Sequence, residues 1–552
     1  MTEAKTPTIA EKLDELFKPW NRSDAPGCVV GVAREGSVLY RRAFGLASIE
    51  HARANAPSVR MRIGSTTKHF CALGILLLRE DGKLDIDAPV RTYLPELANI
   101  AGEPTLRQLM HHTGGVRDPV ASMFFLNRGT FGHAPEGSGL QLMQRFSQCN
   151  FAPGEHSAYS NAGYYLLSLV IERISGQTLE TYFRQRLFQP LGMHATELLR
   201  SDMAIVPNIA SFHVPQADGS WRRGIYPTDE ILGSGGLIST VDDMLAWAAH
   251  LRGPQRIVGN AQTWQLMLER PRLAGGEPGD YCCGLARDNS RGVDLWSHAG
   301  ATLGALCQMI VVPEHRIEVV VMSNRSDIPV PALAMKIAEG LLEGKLQPPR
   351  VPARAEDYAA LSGNRWFSPA SRTLLRADRM KLPAGEALML YLNQTPAGLL
   401  FEKDGGLVRN AAAMDSLLIP QPPKGTDAPA RMEVRIAGRS ETFERLAQTP
   451  PGAAELAPQL VGRYCYTEFG SELAIALVDG KLCLDFLPHY GRAQWELEPQ
   501  SENVLTGGIF HSVPPQPVPV ASTVVVERES GKVRGVWLMS ERFSNLWFER
   551  IS

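Results

Sequence analysis

The stretch Gly64-Ser65-Thr66-Thr67-Lys68 leads into an apolar run from Phe70 to Leu78, which ends at Arg79-Glu80-Asp81-Gly82. A run of that length without alternation reads as a buried helix, with the glycine as its C-terminal stop. Positions three apart share a helix face, so Ser65 and Lys68 point together from the first turn. A hydroxyl and an amine held side by side at the positive end of a helix form an activated nucleophile. The amine takes the proton, and the dipole favours the alkoxide. This S-x-x-K pattern occurs once in the chain. Alone it is equally the sequence of a Ser or Thr cap followed by a solvated lysine. Its surroundings have to decide.

The chain has 552 residues and 44 % hydrophobic content, material for two or three domains with at least one large core. Its formal net charge of −2 provides no basic field for nucleic acid or anionic lipid. No stretch approaches the roughly 18 apolar residues of a membrane span. The opening Met1-Thr2-Glu3-Ala4-Lys5-Thr6 lacks the basic-then-apolar order of a secretory signal. Cys28, Cys71, Cys149, Cys282, Cys283, Cys307, Cys465 and Cys483 lie mostly in apolar runs and form no C-x-x-C pair. They read as buried thiols in a reducing compartment, with adjacent Cys282 and Cys283 left unbridged. The expectation is a soluble cytoplasmic protein with neither a nucleic-acid nor a membrane partner.

Along the chain, Ile9, Leu13, Leu16 and Phe17 mark an amphipathic helix. Val29 to Ala33 and Val38 to Phe44 flank the turn Arg34-Glu35-Gly36 as a hairpin. The texture is then helical to about Leu251. Strands return at Ala305 to Val312 and Ile317 to Met322, and a last helix runs from Pro331 to Leu342. That order predicts one antiparallel sheet built from both ends of the segment, with a helical lobe inserted and a cleft between the two. Gln347-Pro348-Pro349-Arg350-Val351-Pro352-Ala353 and Gln448-Thr449-Pro450-Pro451-Gly452-Ala453 read as linkers. Each is followed by a Gly and then an aromatic, in Leu361-Ser362-Gly363-Asn364-Arg365-Trp366 and in Leu460-Val461-Gly462-Arg463-Tyr464. This faint repeat opens two small β-domains of a size to close as barrels. The domains expected are 1–346, 347–449 and 450–552.

Two further motifs complete the constellation. Tyr159-Ser160-Asn161 sits between Pro153-Gly154 and the apolar run Tyr164 to Val170, on a loop entering a helix. A phenol beside an amine can act as a base, and the Asn161 amide can hold both a substrate carbonyl and the lysine. His298-Ala299-Gly300 precedes the strand at Ala305. A cationic or hydrogen-bonding residue followed by a small residue and a glycine on an edge strand lets substrate backbone lie against it, and the Ala301 N–H can join that of Ser65 in an oxyanion hole. Of the competing H-x-G copies, His112-Thr113-Gly114 reads as shaping a loop beside the cleft, and His489-Tyr490-Gly491 falls in the last β-domain. No G-x-S-x-G, H-E-x-x-H or Walker loop is present.

The set Arg62-Ile63-Gly64-Ser65-Thr66-Thr67-Lys68, Glu80-Asp81-Gly82-Lys83-Leu84, Tyr159-Ser160-Asn161, Gln189-Pro190-Leu191-Gly192-Met193, Gly235-Gly236-Leu237 and His298-Ala299-Gly300 resembles the serine β-lactamase and penicillin-binding protein superfamily. The likeness covers most of residues 10 to 345 and is to its class C, DD-carboxypeptidase and esterase branch. Two trailing β-domains and a His in the third motif look like the D-aminopeptidases, which release N-terminal D-amino acids from peptides, amides and esters. The resemblance implies an α/β catalytic domain of the β-lactamase/DD-peptidase type, antiparallel sheet plus helical lobe, followed by two antiparallel β-barrels. It implies Ser65 as nucleophile, Lys68 and Tyr159 sharing proton transfer, and His298 in place of the usual third-motif Lys. Asn161, Gly300 and Ala301 would bind substrate. It also implies a loop of the last barrel reaching the cleft, for which Gly507 to Ala521, rich in proline, is the candidate lid.

The function expected is therefore a serine hydrolase for small D-amino acyl amides, esters or short peptides. No metal or organic cofactor is implied, and a homodimer is the assembly expected. Two readings stand beside it: an esterase or β-lactamase-like hydrolase, and a catalytically silent binding or scaffold protein. Spacing leaves open whether Lys68 or Tyr159 takes the Ser65 proton.

Overall fold

The computed structural model describes residues 8–119, 136–226, 228–254, 256–274, 276, 278–383, 385–409, 417–436, 439–486, 493–509, 521–539 and 545–552. Of the candidate lid Gly507 to Ala521, residues 510–520 lie outside the described residues, as does the third H-x-G copy (489–491).

One antiparallel sheet of six strands organises the first part of the chain. Its order is Ala286–Ser290, Val293–Thr302, Ala305–Val312, Ile317–Ser323, Cys28–Arg34 and Ser37–Phe44. The hairpin turn expected at Arg34-Glu35-Gly36 forms, with positive φ at Glu35 and Gly36 as a tight hairpin turn requires. Cys28–Arg34 pairs along its length with Ile317–Ser323, so the two ends of the segment close one sheet, as the order of elements predicts.

Both faces of this sheet are covered, and its central strands are apolar on successive residues rather than alternating. Val30, Val32, Val319 and Val321 pack with Leu13 and Phe17 of the helix Ile9–Phe17 and with Leu333 and Ile337 of the helix Val330–Leu341. Val29, Val320, Met309 and Val311 face the other way, into a core shared with Phe70, Leu245 and Trp247. Alternate residues of a strand point to opposite faces, so one valine run serves both cores. On that second side lies the helical lobe. Its central helix, Lys68–Glu80, is buried from Lys68 to Leu78, and the helix Asn161–Ser175 belongs to the same core.

Two closed barrels of eight antiparallel strands follow, spanning 365–445 and 462–550. The aromatic of each repeat, Trp366 and Tyr464, stands on the opening strand with its side chain wholly buried. Closure joins the opening strand to the last, Trp366 to Arg445 in one barrel and Tyr464 to Arg550 in the other. It removes the unpaired edges that would invite aggregation. A helix absent from the sequence reading, Ala453–Leu460, lies between the barrels and buries Leu456 and Leu460.

The barrels differ in how they attach. The first has a core of its own around Trp366, Leu388 and Leu400. The core of the second is continuous with the helical lobe, where Phe469 meets Phe146 with ring centroids 5.3 Å apart. All eight cysteines are free, Cys282 and Cys283 included. Among the described residues, no helix is long and apolar enough to cross a membrane.

Trp366 fills a closed barrel, so Trp366→Ala should destabilise that barrel by about 3–5 kcal/mol. Urea denaturation would read this as an early transition; an unchanged midpoint would mean that the indole is not part of the packed interior.

Candidate active site

Gly64 begins the site. Its φ is +52°, and a Cβ there would lie 2.6 Å from the backbone N of Ala301, so conformation and space both demand glycine. Gly64–Thr67 forms a single 3₁₀ turn, and the α-helix starts at Lys68. Ser65 therefore stands on the turn before the helix rather than in its first α-turn, and it keeps the three-residue spacing that puts it beside Lys68.

The Lys68 side chain is fully buried. Its Nζ donates to Ser65 Oγ at 3.2 Å, to Asn161 Oδ1 at 2.9 Å and to the Ser234 carbonyl at 2.6 Å. Lysine is almost never buried unless it is paired, and here three acceptors match the donors of one amine. The acceptors come from the nucleophile turn, from the first residue of the helix Asn161–Ser175 and from the short helix Leu232–Gly235. Lys68 Nζ also lies 4.7 Å from the centroid of the Tyr159 ring and 5.4 Å from that of Tyr164. Ser65, Lys68, Tyr159 and Asn161 thus meet from segments about ninety residues apart, as the motif reading requires.

His298 stands inside the strand Val293–Thr302, which begins earlier than the sequence suggested. That strand pairs with Ala286–Ser290 only as far as Ser297, which leaves the flank of 298–302 with no paired strand on that side among the described residues. The strand runs directly against the nucleophile turn. A Cβ on Gly300 would lie 1.8 Å from the Ile63 carbonyl oxygen and 3.2 Å from Ser65 N. Gly300 and Ala301 are therefore brought to Ser65, on a flank where extended substrate backbone can lie.

The His298 ring is turned into the protein. Its Nδ1 donates to the Ala299 carbonyl at 2.6 Å, which leaves Nε2 to accept from the Tyr281 hydroxyl at 2.8 Å. Burial lowers its pKa to about 3, and the neighbouring Lys68 adds to the shift. Burial also holds His69 and His112 well below the ordinary imidazole value. Trp247 Nε1 donates to His69 Nδ1 at 3.0 Å, and the His69 ring meets that of His298 edge to face at 5.6 Å. The lysine is surrounded by neutral imidazoles that do not compete with it in charge. The sequence reading allowed His298 to be cationic; burial makes it neutral.

Several contributors escaped the sequence. The Ser234 carbonyl is backbone and has no side-chain signature, although the Gly235-Gly236 that follows stood out. Tyr281, whose pKa burial raises so that it stays a hydroxyl donor, lies in a stretch with no motif. The sequence reads His112 as shaping a loop beside the cleft. It lies closer: its ring centroid is 4.3 Å from that of Tyr159, and its Nδ1 accepts from Ser160 N at 3.2 Å. Among the described residues, no group of three or more His, Cys, Asp or Glu side chains is placed to hold a metal ion.

Comparison with known proteins places this geometry in context. The protein-family model Beta-lactamase matches residues 10–342. A D-aminopeptidase of Cereibacter sphaeroides is 27 % identical over 538 residues, covering 96 % of this chain and 95 % of its own length. A D-aminopeptidase of Brucella canis is 30 % identical over 373 residues, 64 % of this chain and 66 % of that one. Among solved structures, the octameric penicillin-binding protein homologue from Pyrococcus abyssi superposes with a TM-score of 0.53 at 20 % identity, over 97 % of this chain and 98 % of that one.

Two outcomes follow from the geometry. Gly300→Ala should abolish turnover by driving the strand off the Ser65 turn, while the barrels stay folded; full activity in that variant would place the strand elsewhere. The second concerns pH. His298 and His111 are held at about 3 and His250 at about 4, so the unfolded chain binds more protons than the folded one below about pH 6.5. Stability is therefore lost as pH falls through that window, by about 1.4 kcal/mol per pH unit for each ring. A urea midpoint that stays level from pH 7 to pH 5 would mean that these rings are not buried neutral.

Proposed function

This chain belongs to the Beta-lactamase family, and from that premise we propose that it is a serine hydrolase that forms an acyl-enzyme and acts on amides, esters and short peptides with an N-terminal D-amino acid. The observation that carries the reading is the buried Lys68 amine, bonded at once to Ser65 Oγ and Asn161 Oδ1 against the Tyr159 ring. Ser65 Oγ attacks the substrate carbonyl while its proton passes to the Lys68–Tyr159 pair. The Ser65 and Ala301 amides hold the oxyanion as the tetrahedral centre forms. When that centre collapses, the carbon–nitrogen bond breaks and the amine leaves with the proton held by the pair. Water, activated by the same pair, then releases the D-amino acid from Ser65.

Asn161 orients the lysine and the substrate carbonyl. His298, neutral and bonded to Tyr281, fixes the strand that carries Gly300 and Ala301. The D-specific part of the reading draws on the D-aminopeptidase of Cereibacter sphaeroides, whose likeness extends through both barrels to 96 % of this chain. A cytoplasmic setting fits eight free cysteines, of which Cys28, Cys71, Cys282, Cys283, Cys307 and Cys483 are buried. The homodimer expected from the sequence is tested by light scattering.

The deciding experiment compares D-alanyl and L-alanyl p-nitroanilide on the wild type and on Ser65→Ala, Lys68→Ala and Tyr159→Phe. The D substrate should be turned over preferentially and Ser65→Ala should be inactive. Loss of a proton-transfer group should lower kcat by about 10²–10⁴-fold. Equal rates on the two enantiomers would overturn the stereochemical reading, and turnover by Ser65→Ala would overturn the serine mechanism.

A further inference from the structure

We propose that Asn545, on the second barrel, is a positioning residue for Tyr159. It ties together the two loops that present the phenol and so makes barrel docking a condition of full turnover. The proposal rests on the serine-hydrolase reading above and adds to it a role for the barrels.

Tyr159 sits at the end of a segment, 149–160, that contains no helix or strand, and it packs against a second irregular segment, 111–118. A ladder of hydrogen bonds joins the two. Asn150 N donates to the Gly115 carbonyl at 2.7 Å, Gly154 N to that of Thr113 at 2.7 Å and Ala158 N to that of His112 at 3.0 Å. Ser160 N donates to His112 Nδ1 at 3.2 Å and Ser160 Oγ to the Val116 carbonyl at 3.2 Å. Tyr159 lies between the last rungs, its ring on that of His112. The register of these segments therefore decides where the phenol stands relative to Lys68.

At the far end of the ladder both segments meet Asn545. Arg117 Nη2 donates to the Asn545 carbonyl at 3.1 Å, and Asn545 Nδ2 donates to the Asn150 carbonyl at 3.2 Å. The same side chain receives Arg372 Nη1 of the first barrel on its Oδ1 at 2.7 Å. These side-chain bonds all leave the barrel that carries Asn545, so that barrel's own ladder does not need them. Asn545 has φ 58°, a left-handed conformation that asparagine tolerates better than most residues. Arg117 is 2 % exposed and is held further by the Tyr466 hydroxyl at 2.9 Å and the Phe146 ring at 5.6 Å. The first barrel adds a second tie to the Tyr159 segment, from Arg439 Nη1 to Glu155 Oε1 at 2.7 Å. The two barrels thus hold the loop that completes the proton-transfer pair of Ser65.

Two variants test this. Asn545→Gly keeps the left-handed backbone and the carbonyl that Arg117 uses, and loses both side-chain bonds. Asn545→Asp keeps an acceptor for Arg372 but sets an oxygen against the Asn150 carbonyl. Activity is read as kcat per site titrated with a fluorophosphonate, with KM, the pH profile of kcat and the melting curve measured alongside. Both variants should lose on the order of 10- to 100-fold in kcat, the scale of a displacement near 1 Å in a catalytic group. KM and melting temperature should change little, and the pH profile should shift because the phenol no longer stands against Lys68. Wild-type kcat per titrated site with an unchanged pH profile, in either variant, would overturn the proposal. Should Asn545→Gly fail to fold, Asn545→Asp decides. A wild type that does not turn over D-alanyl p-nitroanilide removes the functional reading itself, whereas an active wild type with indifferent variants removes only the role of Asn545.

Discussion

A lysine amine taken wholly out of water needs an acceptor for each of its protons, and Lys68 takes one each from the Ser65 turn, the Asn161 helix and the Ser234 turn. A buried polar atom left without a partner costs about 1–3 kcal/mol, so the three segments are constrained to converge on one nitrogen. Low polarity strengthens each of those bonds and penalises any displacement. The close approaches follow from the same convergence. The strand Val293–Thr302 can reach the Ser65 turn only because residues 64 and 300 carry no Cβ.

Around this nitrogen the protein builds a shell that is polar but uncharged. His69, His112 and His298 are neutral because they are buried, and the lysine disfavours a second cation at His112 and His298. Each imidazole is oriented by a partner: Trp247 for His69, the Ser160 amide for His112, Tyr281 and the Ala299 carbonyl for His298. The rings act as spacers whose hydrogen bonds fix the packing beside Lys68. The barrels extend that logic outward, since the second shares a continuous core with the helical lobe and both bond to the loop that leads to Tyr159.

What could be read from the sequence was what depends on local spacing. Ser65 and Lys68 lie one turn apart, the valine runs mark the central strands, and Gly363 and Gly462 precede aromatics that fill two barrels. What could not be read depends on contacts across the fold. The Ser234 carbonyl is invisible in a list of side chains. Tyr281 acquires its role from His298, seventeen residues away and across a turn of the sheet. His298 looked available for charge because its burial is set by the Tyr281 segment and by His69. The helix Ala453–Leu460 was hidden behind Pro450-Pro451-Gly452, which reads as a linker, although Ala453-Ala454-Glu455-Leu456 favours helix once tertiary packing supports it.

The central claim is that the Ser65 oxygen becomes covalently acylated during turnover. Rapid acid quench of the wild type with a D-alanyl ester, followed by peptide mass mapping, tests it directly. The account predicts a D-alanyl mass increment on the peptide that contains Ser65, appearing before steady state and decaying as product forms. Turnover with no increment on that peptide, or with the increment on another residue, would contradict it.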